Sequence, residues 1–232
     1  MVEHHTLQTD HGITSSCVYR ARTPGFATLI LAHGAGAGQT HRYLVTSAES
    51  LGARGVNVVT FNFPYAEHGR TRPDPATVLE STWRAVIAWT RAALSPSRLF
   101  AGGKSMGGRI ASQVVAADGA SAGVAGLVFL GYPLHPPGKP EELRTRHFPS
   151  IGVPMLFIQG TRDPFGTPDE LRPWLATSPA PAEIFVVEGG DHSFGLPKSR
   201  RAEQTAQHAA IYDRIAAWTR EIIGRSGDPV IG

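Results

Sequence analysis

The sequence contains one cysteine, Cys17, in 232 residues. A single thiol cannot form an intramolecular disulfide, and it cannot supply the cysteine-rich ligand set of a structural zinc site. The amino-terminal residues lack the basic stretch and apolar run of a secretory signal. The longest apolar runs, such as residues 124–130, are far shorter than the roughly 20 residues that cross a bilayer. We therefore expect a cytoplasmic protein with no membrane-spanning segment.

The sequence also has no large excess of positive or negative side chains. Lysine and arginine number 22 against 19 aspartates and glutamates, and the densest basic cluster is only Lys198, Arg200 and Arg201. This pattern is typical of a solvated helix start and predicts no nucleic-acid partner. Hydrophobic residues at 41% indicate a globular chain, and no linker or internal repeat interrupts it. The sequence predicts one domain, residues 1–232, with a flexible tail at 225–232.

Short apolar segments alternate along the chain with segments of helical periodicity. About eight strands are predicted, at 6–9 (weakly), 14–19, 27–32, 56–61, 99–102, 124–130, 155–159 and 184–187. Helices are predicted at 41–54, 75–94, 106–118, 168–176 and 201–224. Continuously apolar strands suit a mostly parallel sheet with helices on both faces. The predicted fold class is therefore α/β, doubly wound.

The loop after the predicted strand at 99–102 reads Gly-Lys-Ser-Met-Gly-Gly, from Gly103 to Gly108. It contains Gly-x-Ser-x-Gly between a strand and a helix, the pattern of a nucleophile elbow, in which a tight turn lifts the serine hydroxyl above the sheet. A phosphate-binding loop is excluded because Arg98 stands where its first glycine is required. Ser105 is the candidate nucleophile.

A second glycine-rich stretch occupies residues 33–38. It does not match the dinucleotide-binding pattern, because Gln39 and His41 stand where that pattern requires glycine. Backbone N–H groups in such a loop suit the negative oxygen of a tetrahedral intermediate, together with the amide that follows the nucleophile. We assign the oxyanion donors to Ala35 and Met106; a flexible turn is the alternative.

A serine nucleophile needs a base, and the base needs a carboxylate behind it. Asp163 stands just past a buried strand, and His192 stands in a glycine-rich loop before the final helix. The order Ser105, Asp163, His192 is the one expected of α/β-hydrolases. Asp191 is a rival acid, but its side chain should diverge from the imidazole of its neighbour, so Asp163 is favoured.

These motifs make the sequence similar to the small bacterial α/β-hydrolases related to dienelactone hydrolases, a group whose distant animal relatives include a testis-expressed protein and a chromatin-complex subunit. The matching stretches are residues 33–38, 61–65, 102–109, 131–136, 160–163 and 190–194. The resemblance implies a Ser-Asp-His hydrolase fold. Dienelactone hydrolases proper use a cysteine where Ser105 stands, so their lactone substrate is not carried over.

Several side chains near the motifs are candidates for substrate contact. Tyr65, His135 and Phe165 are expected to line the pocket. Lys104 and Arg109 flank the elbow and could attract an anionic substrate, although structural roles are favoured for both. The ten histidines show no metal-binding spacing, so no metal is expected.

The connection at residues 131–153 is where α/β-hydrolases often insert a helical lid. It carries five prolines, so at most a short helix near 141–146 is expected. A lid this small predicts a shallow, open pocket that handles short acyl groups such as acetyl or butyryl.

The predicted function is a serine hydrolase that cleaves a small carboxylic ester or related acyl compound through an acyl-enzyme, without a cofactor. Two alternatives stay open: a non-catalytic scaffold of the same fold, since a fold does not prove an activity, and a peptidase or acyltransferase with the same triad. The sequence does not distinguish esters from thioesters or amides, and it does not give the oligomeric state.

Overall fold

Eight strands form one sheet in the computed structural model of the chain, which describes residues 2–225. The tail predicted at 225–232 lies outside the described residues, apart from Arg225. The strands are β1 (Val2–Thr9), β2 (Gly12–Tyr19), β3 (Ala27–Ala32), β4 (Val56–Phe61), β5 (Leu99–Lys104), β6 (Gly126–Leu130), β7 (Met155–Gly160) and β8 (Ala182–Val187).

The sheet order is β1-β2-β4-β3-β5-β6-β7-β8. β2 pairs antiparallel with β1 and β4, and every other pairing is parallel. All residues of β3, β6 and β7 are buried, which is why these strands are almost entirely apolar in sequence. The parallel strands bring the ends of β3, β5, β7 and β8 to one edge of the sheet, where the loops that follow them meet.

Helices cover both faces of the sheet. They are α1 (Arg42–Gly52), α2 (Pro64–Glu67), α3 (Ala76–Leu94), α4 (Met106–Asp118), α5 (Pro168–Leu175) and α6 (Gln204–Arg225). One core contains residues of α3, α4 and α5, and the other contains residues of α1 and α6. Ile211, Ile215, Trp218 and Ile222 of α6 are all buried, as their spacing predicts. The predicted α/β class is confirmed.

Short elements differ most from the sequence-based expectations. α2 was not predicted; it is a four-residue helix with Pro64 at its first position, where proline costs no hydrogen bond. A 3₁₀ helix, Lys198–Glu203, takes the start of the last predicted helix, and α6 itself begins at Gln204. No helix within residues 2–225 is both long and apolar enough to cross a membrane.

The connection at residues 131–153 holds only a 3₁₀ turn, Phe148–Ser150, and no helix forms at 141–146, where at most a short one was expected. Arg144 N donates to Leu134 O at 2.8 Å, and the Tyr132 hydroxyl donates to Arg144 O at 2.7 Å. These bonds across the loop engage backbone groups that a helix needs for itself. The connection therefore lies over the sheet edge as an irregular loop.

Candidate active site

Ser105 lies in a sharp turn between β5 and α4. Its backbone has φ 51° and ψ −117°, a positive φ that a residue with a side chain rarely adopts. The turn can pack against the backbone of residues 32–33 because Gly103 and Gly107 have no side chains. A Cβ on Gly103 would come within 2.6 Å of Ala32 O, and one on Gly107 within 2.5 Å of His33 O. Trp83 Nε1 of α3 donates to Gly107 O at 3.2 Å, and this hydrogen bond supports the turn.

The structure brings the three predicted triad residues into one hydrogen-bond chain. His192 Nε2 lies 2.9 Å from Ser105 Oγ, and His192 Nδ1 lies 2.8 Å from Asp163 Oδ2. The side chain of Asp163 is fully buried, whereas that of His192 is 19% exposed. A buried carboxylate behind a partly exposed imidazole can fix the imidazole tautomer and leave Nε2 free to take a proton from the serine.

Asp163 is held in place by groups that the sequence analysis did not single out. Gln159 Nε2 donates to Asp163 Oδ2 at 3.0 Å, and the Phe165 amide donates to Asp163 Oδ1 at 2.8 Å. Gln159 Oε1 also accepts from the Tyr132 amide at 2.8 Å. A glutamine inside the otherwise apolar run of β7 was the signal that could have identified this role, since a buried polar side chain requires partners.

Asp191 forms no hydrogen bond or ion pair with the imidazole of His192. It is exposed, and its Oδ1 accepts from the amides of Ser193 and Gly195, both at 2.8 Å. Asp191 thus closes the turn that presents His192.

Ala35 and Met106, the two predicted oxyanion donors, line the same cavity as Ser105. Met106 is the first residue of α4, and the first amides of a helix have no partner within it. In the part of the chain that the structure describes, no acceptor partners the Ala35 amide. The Gly34 loop lies close to the elbow, since a Cβ on Gly34 would sit 3.7 Å from Ser105 Cβ. Both amides are therefore free to bind an oxygen.

His33 fixes the loop that carries Ala35. Its Nδ1 lies 2.9 Å from Gly34 O, and its Nε2 accepts from the Phe63 amide at 3.2 Å. Burial lowers the pKa of His33 to about 4, so the ring is neutral near pH 7. The neutral ring with a proton on Nδ1 satisfies both partners.

Lys104 is half-buried and contacts the loop that carries His192. Its Nζ donates to His192 O at 2.6 Å and lies 5.9 Å from the centre of the Phe194 ring. Burial lowers the pKa of Lys104 to about 8. Lys104, which precedes Ser105, is thus hydrogen-bonded to the backbone of His192, whose imidazole contacts Ser105.

A cavity of about 560 Å³ opens beside Ser105, a size typical of small-molecule sites. Phe165 lines it, and its ring packs 4.3 Å from that of His192 between centres. Tyr65 and His135, which were also expected at the pocket, are not among the residues that line this cavity. Tyr65 is fully buried behind the loop that carries Ala35, where its hydroxyl donates to Gly34 O. His135 packs beneath the Phe165 loop because its amide donates to Phe165 O.

A second serine–histidine contact joins Ser112 and His147, with 2.7 Å between Ser112 Oγ and His147 Nε2. Ser112 is fully buried and its hydroxyl donates to Arg109 O, so His147 must be the donor in this pair. A catalytic base must accept the proton of the serine hydroxyl, whereas His147 Nε2 donates a hydrogen bond to Ser112 Oγ. The contact is typical of a packed core.

Metal ligands do not cluster in residues 2–225: no group of three or more histidine, cysteine, aspartate or glutamate side chains there could hold a metal ion.

Solved structures with the same architecture come from several bacteria. An α/β serine hydrolase homologue from Coxiella burnetii is 20% identical, with 91% of this chain and 96% of that chain covered, at a TM-score of 0.73. A serine hydrolase without a lid from Xanthomonas campestris is 21% identical over 89% and 93%, at 0.67. Dienelactone hydrolase from Anabaena variabilis is 16% identical over 95% and 97%, at 0.74.

These identities are low and establish the fold. The resemblance to dienelactone hydrolases and related serine hydrolases, inferred from the motifs, is confirmed at that level. Residues 25–220 also match the family described as an alpha/beta hydrolase domain, which is most of the chain. The sheet order, the elbow after β5 and this match together establish that the chain belongs to the α/β-hydrolase family.

Proposed function

We propose that the chain is a serine esterase that cleaves a small carboxylic ester through an acyl-enzyme on Ser105. The observation that carries the proposal is the hydrogen-bond chain from Ser105 through His192 to Asp163, at 2.9 and 2.8 Å. A serine hydroxyl is a poor nucleophile near pH 7 without a base in contact with it. The adjoining cavity supports a small molecule as the substrate.

In the proposed mechanism, Ser105 Oγ forms a bond to the acyl carbon while His192 Nε2 takes the hydroxyl proton. The carbonyl electron pair moves onto oxygen, and the amides of Ala35 and Met106 stabilise that charge. When the carbonyl re-forms, the bond to the alcohol breaks, and the alcohol leaves with the proton from His192. Asp163 stabilises the imidazolium throughout.

Water then repeats the sequence on the acyl-enzyme. His192 takes a proton from water as its oxygen attacks the acyl carbon, and the proton returns to Ser105 Oγ as the acid leaves. The steps consume one ester and one water and release one acid and one alcohol. No cofactor enters the proposed reaction.

The scaffold alternative explains less of the site. An interaction surface has no need of a serine in strained backbone and a partly exposed histidine at one cavity, with a buried carboxylate behind the histidine. A peptidase or acyltransferase would use the same acyl-enzyme and differ in the leaving group or the acceptor. Esters are proposed in preference to amides because an alcohol is a better leaving group than an amine; the experiment below separates esters from thioesters.

The test is labelling with a fluorophosphonate and turnover of 4-nitrophenyl acetate. Ser105→Ala should abolish labelling and cut turnover by several orders of magnitude, as triad deletions do. Ser112→Ala is the matched control, because it removes the serine of the other serine–histidine contact and should keep both signals. Labelling that survives in Ser105→Ala would refute the assignment. Matched thioester and 4-nitroanilide substrates would separate ester hydrolysis from the other acyl reactions.

A further inference from the structure

Two arginines share the cavity with Ser105. Arg109 lies on α4, one helical turn after the nucleophile, and Arg144 lies in the connection at residues 131–153. The two side chains come from parts of the sequence 35 residues apart, and the fold places both at the cavity surface.

Both guanidinium groups have unused hydrogen-bond donors. Arg109 Nε is buried and has no partner, and Nη1 makes only a long bond of 3.4 Å to Gln113 Oε1. Arg144 Nη1 donates to Pro133 O at 3.3 Å. Neither guanidinium forms an ion pair with a carboxylate of the residues described, 2–225. A buried donor on a charged group without a partner is costly, so such a group needs a reason.

The two positive charges also act on each other. Burial lowers the pKa of Arg109, and the charge of Arg144 lowers it further. A guanidinium nevertheless stays protonated in proteins, so the cavity keeps two like charges near one another. An anion bound between them would relieve both the repulsion and the missing hydrogen bonds.

The other charged groups of the cavity do not neutralise this pair. Asp74 lines the same cavity, but its Oδ1 is paired with Arg70 at 2.9 Å. Its Oδ2 is buried without a partner. Lys104 already donates to the carbonyl of His192. The cavity therefore has unpaired positive charge at Arg109 and Arg144.

We infer that Arg109 and Arg144 form an anion subsite that binds a carboxylate of the substrate. This inference rests on the proposed function and narrows its substrate class to esters that carry a free carboxylate. A carboxylate fits because its two oxygens match the paired donors of a guanidinium. The carboxylate can belong to the acyl part or to the alcohol part of the ester, and the experiment distinguishes the two.

Two pairs of esters test the subsite. The acyl pair is mono-4-nitrophenyl succinate and its neutral methyl ester; the alcohol pair is 4-acetoxybenzoate and its methyl ester. In one pair, kcat/KM for the charged member should exceed that for the neutral member by about tenfold or more. Arg109→Gln and Arg144→Gln should each reduce this ratio by about tenfold.

Arg146→Gln is the control, because it removes the same charge from the same connection at an exposed residue outside the cavity. The ratio should not change in this variant. A wild-type ratio near one in both pairs would overturn the subsite, and so would an equal loss of ratio in Arg146→Gln. Hydrolysis of a neutral ester that depends on Ser105 would leave the proposed function standing in either case.

A binding measurement keeps the inference testable if no ester is hydrolysed. Monomethyl succinate and dimethyl succinate are titrated by calorimetry into the Ser105→Ala protein, whose fold is first checked by circular dichroism. The subsite predicts that the monoanion binds, that the diester binds at least tenfold more weakly, and that Arg109→Gln removes the difference. Equal binding of the two compounds, or none by either, would overturn it.

Discussion

The ammonium of Lys104 donates a hydrogen bond of 2.6 Å to the carbonyl oxygen of His192. The bond joins the elbow to the histidine loop across 88 positions of sequence, and Gly131 packs against both partners. A long side chain from the nucleophile turn thus supports the backbone of the proposed base. Lys104 is in this respect a positioning residue, because the bond reaches the imidazole only through the backbone.

Lys104→Met should lower kcat for 4-nitrophenyl acetate by about tenfold to a hundredfold, because the imidazole loses its fixed distance to Ser105 Oγ. KM should change little, since Lys104 has its hydrogen bond inside the protein. Steady-state kinetics separate the two constants, and Lys139→Met, which removes an exposed lysine, is the control. A rise in KM at constant kcat would instead indicate that Lys104 contacts the substrate.

Asp163→Asn should reduce turnover by on the order of 10⁴-fold, because an amide favours the wrong tautomer of His192. Asp191→Asn should cost only a few-fold, since Asp191 supports a turn and does not reach the imidazole. The two variants are compared in one assay after their thermal unfolding has been recorded. If the losses came in the reverse order, the acid would have to be reassigned to Asp191.

The short connection at residues 131–153 leaves the cavity without a helical cover. We therefore expect 4-nitrophenyl esters of acetyl and butyryl length to react fastest, and no activation at a lipid–water interface. A series from acetyl to palmitoyl, measured below and above the solubility limit of the longer esters, tests both points. A maximum at palmitoyl would contradict the open-cavity interpretation.

Stability should fall in mild acid because of His33. Its pKa is about 4 in the folded protein and about 6.5 unfolded, so the unfolded state binds the proton first as the pH drops. Stability from this group is full above about pH 6.5 and falls by about 2 kcal/mol between pH 7 and pH 5. Urea unfolding at pH 7 and at pH 5 gives the two free energies of unfolding, and their difference measures this decrease.

His147, whose pKa burial also lowers to about 4, adds a decrease of the same sign. The comparison that isolates His33 is therefore wild type against His33→Gln, whose side-chain oxygen can still accept from the Phe63 amide. The variant should lose less stability than wild type between pH 7 and pH 5. An identical loss in the two proteins would contradict the buried neutral state of His33.

The sequence predicted the sheet and its main helices because these depend on local patterns. Strands such as β3 and β7 are almost entirely apolar, and the buried residues of α6 repeat with the helical period. The candidate triad could also be located, since each member follows a recognisable strand end. Other features could not be predicted, because they depend on which strands are neighbours and on loop paths that periodicity does not encode. They are the hydrogen bond from Gln159 to Asp163, the hydrogen bond from Lys104 to His192 and the burial of His135.

Close contacts between the elbow and the end of β3 limit which residues of this protein can be substituted. Gly103 and Gly107 lie so close to residues 32–33 that a side chain at either position would push the two loops apart, and the elbow would lose its shape. The connection at residues 131–153 contributes to the cavity through side chains such as those of Pro133 and Arg144, with no strand or α-helix to preserve. A substitution at a half-buried cavity residue of this connection, such as Arg144, should therefore cost little folding stability and can alter the compounds accepted. A side chain at Gly103 or Gly107 would instead displace the elbow.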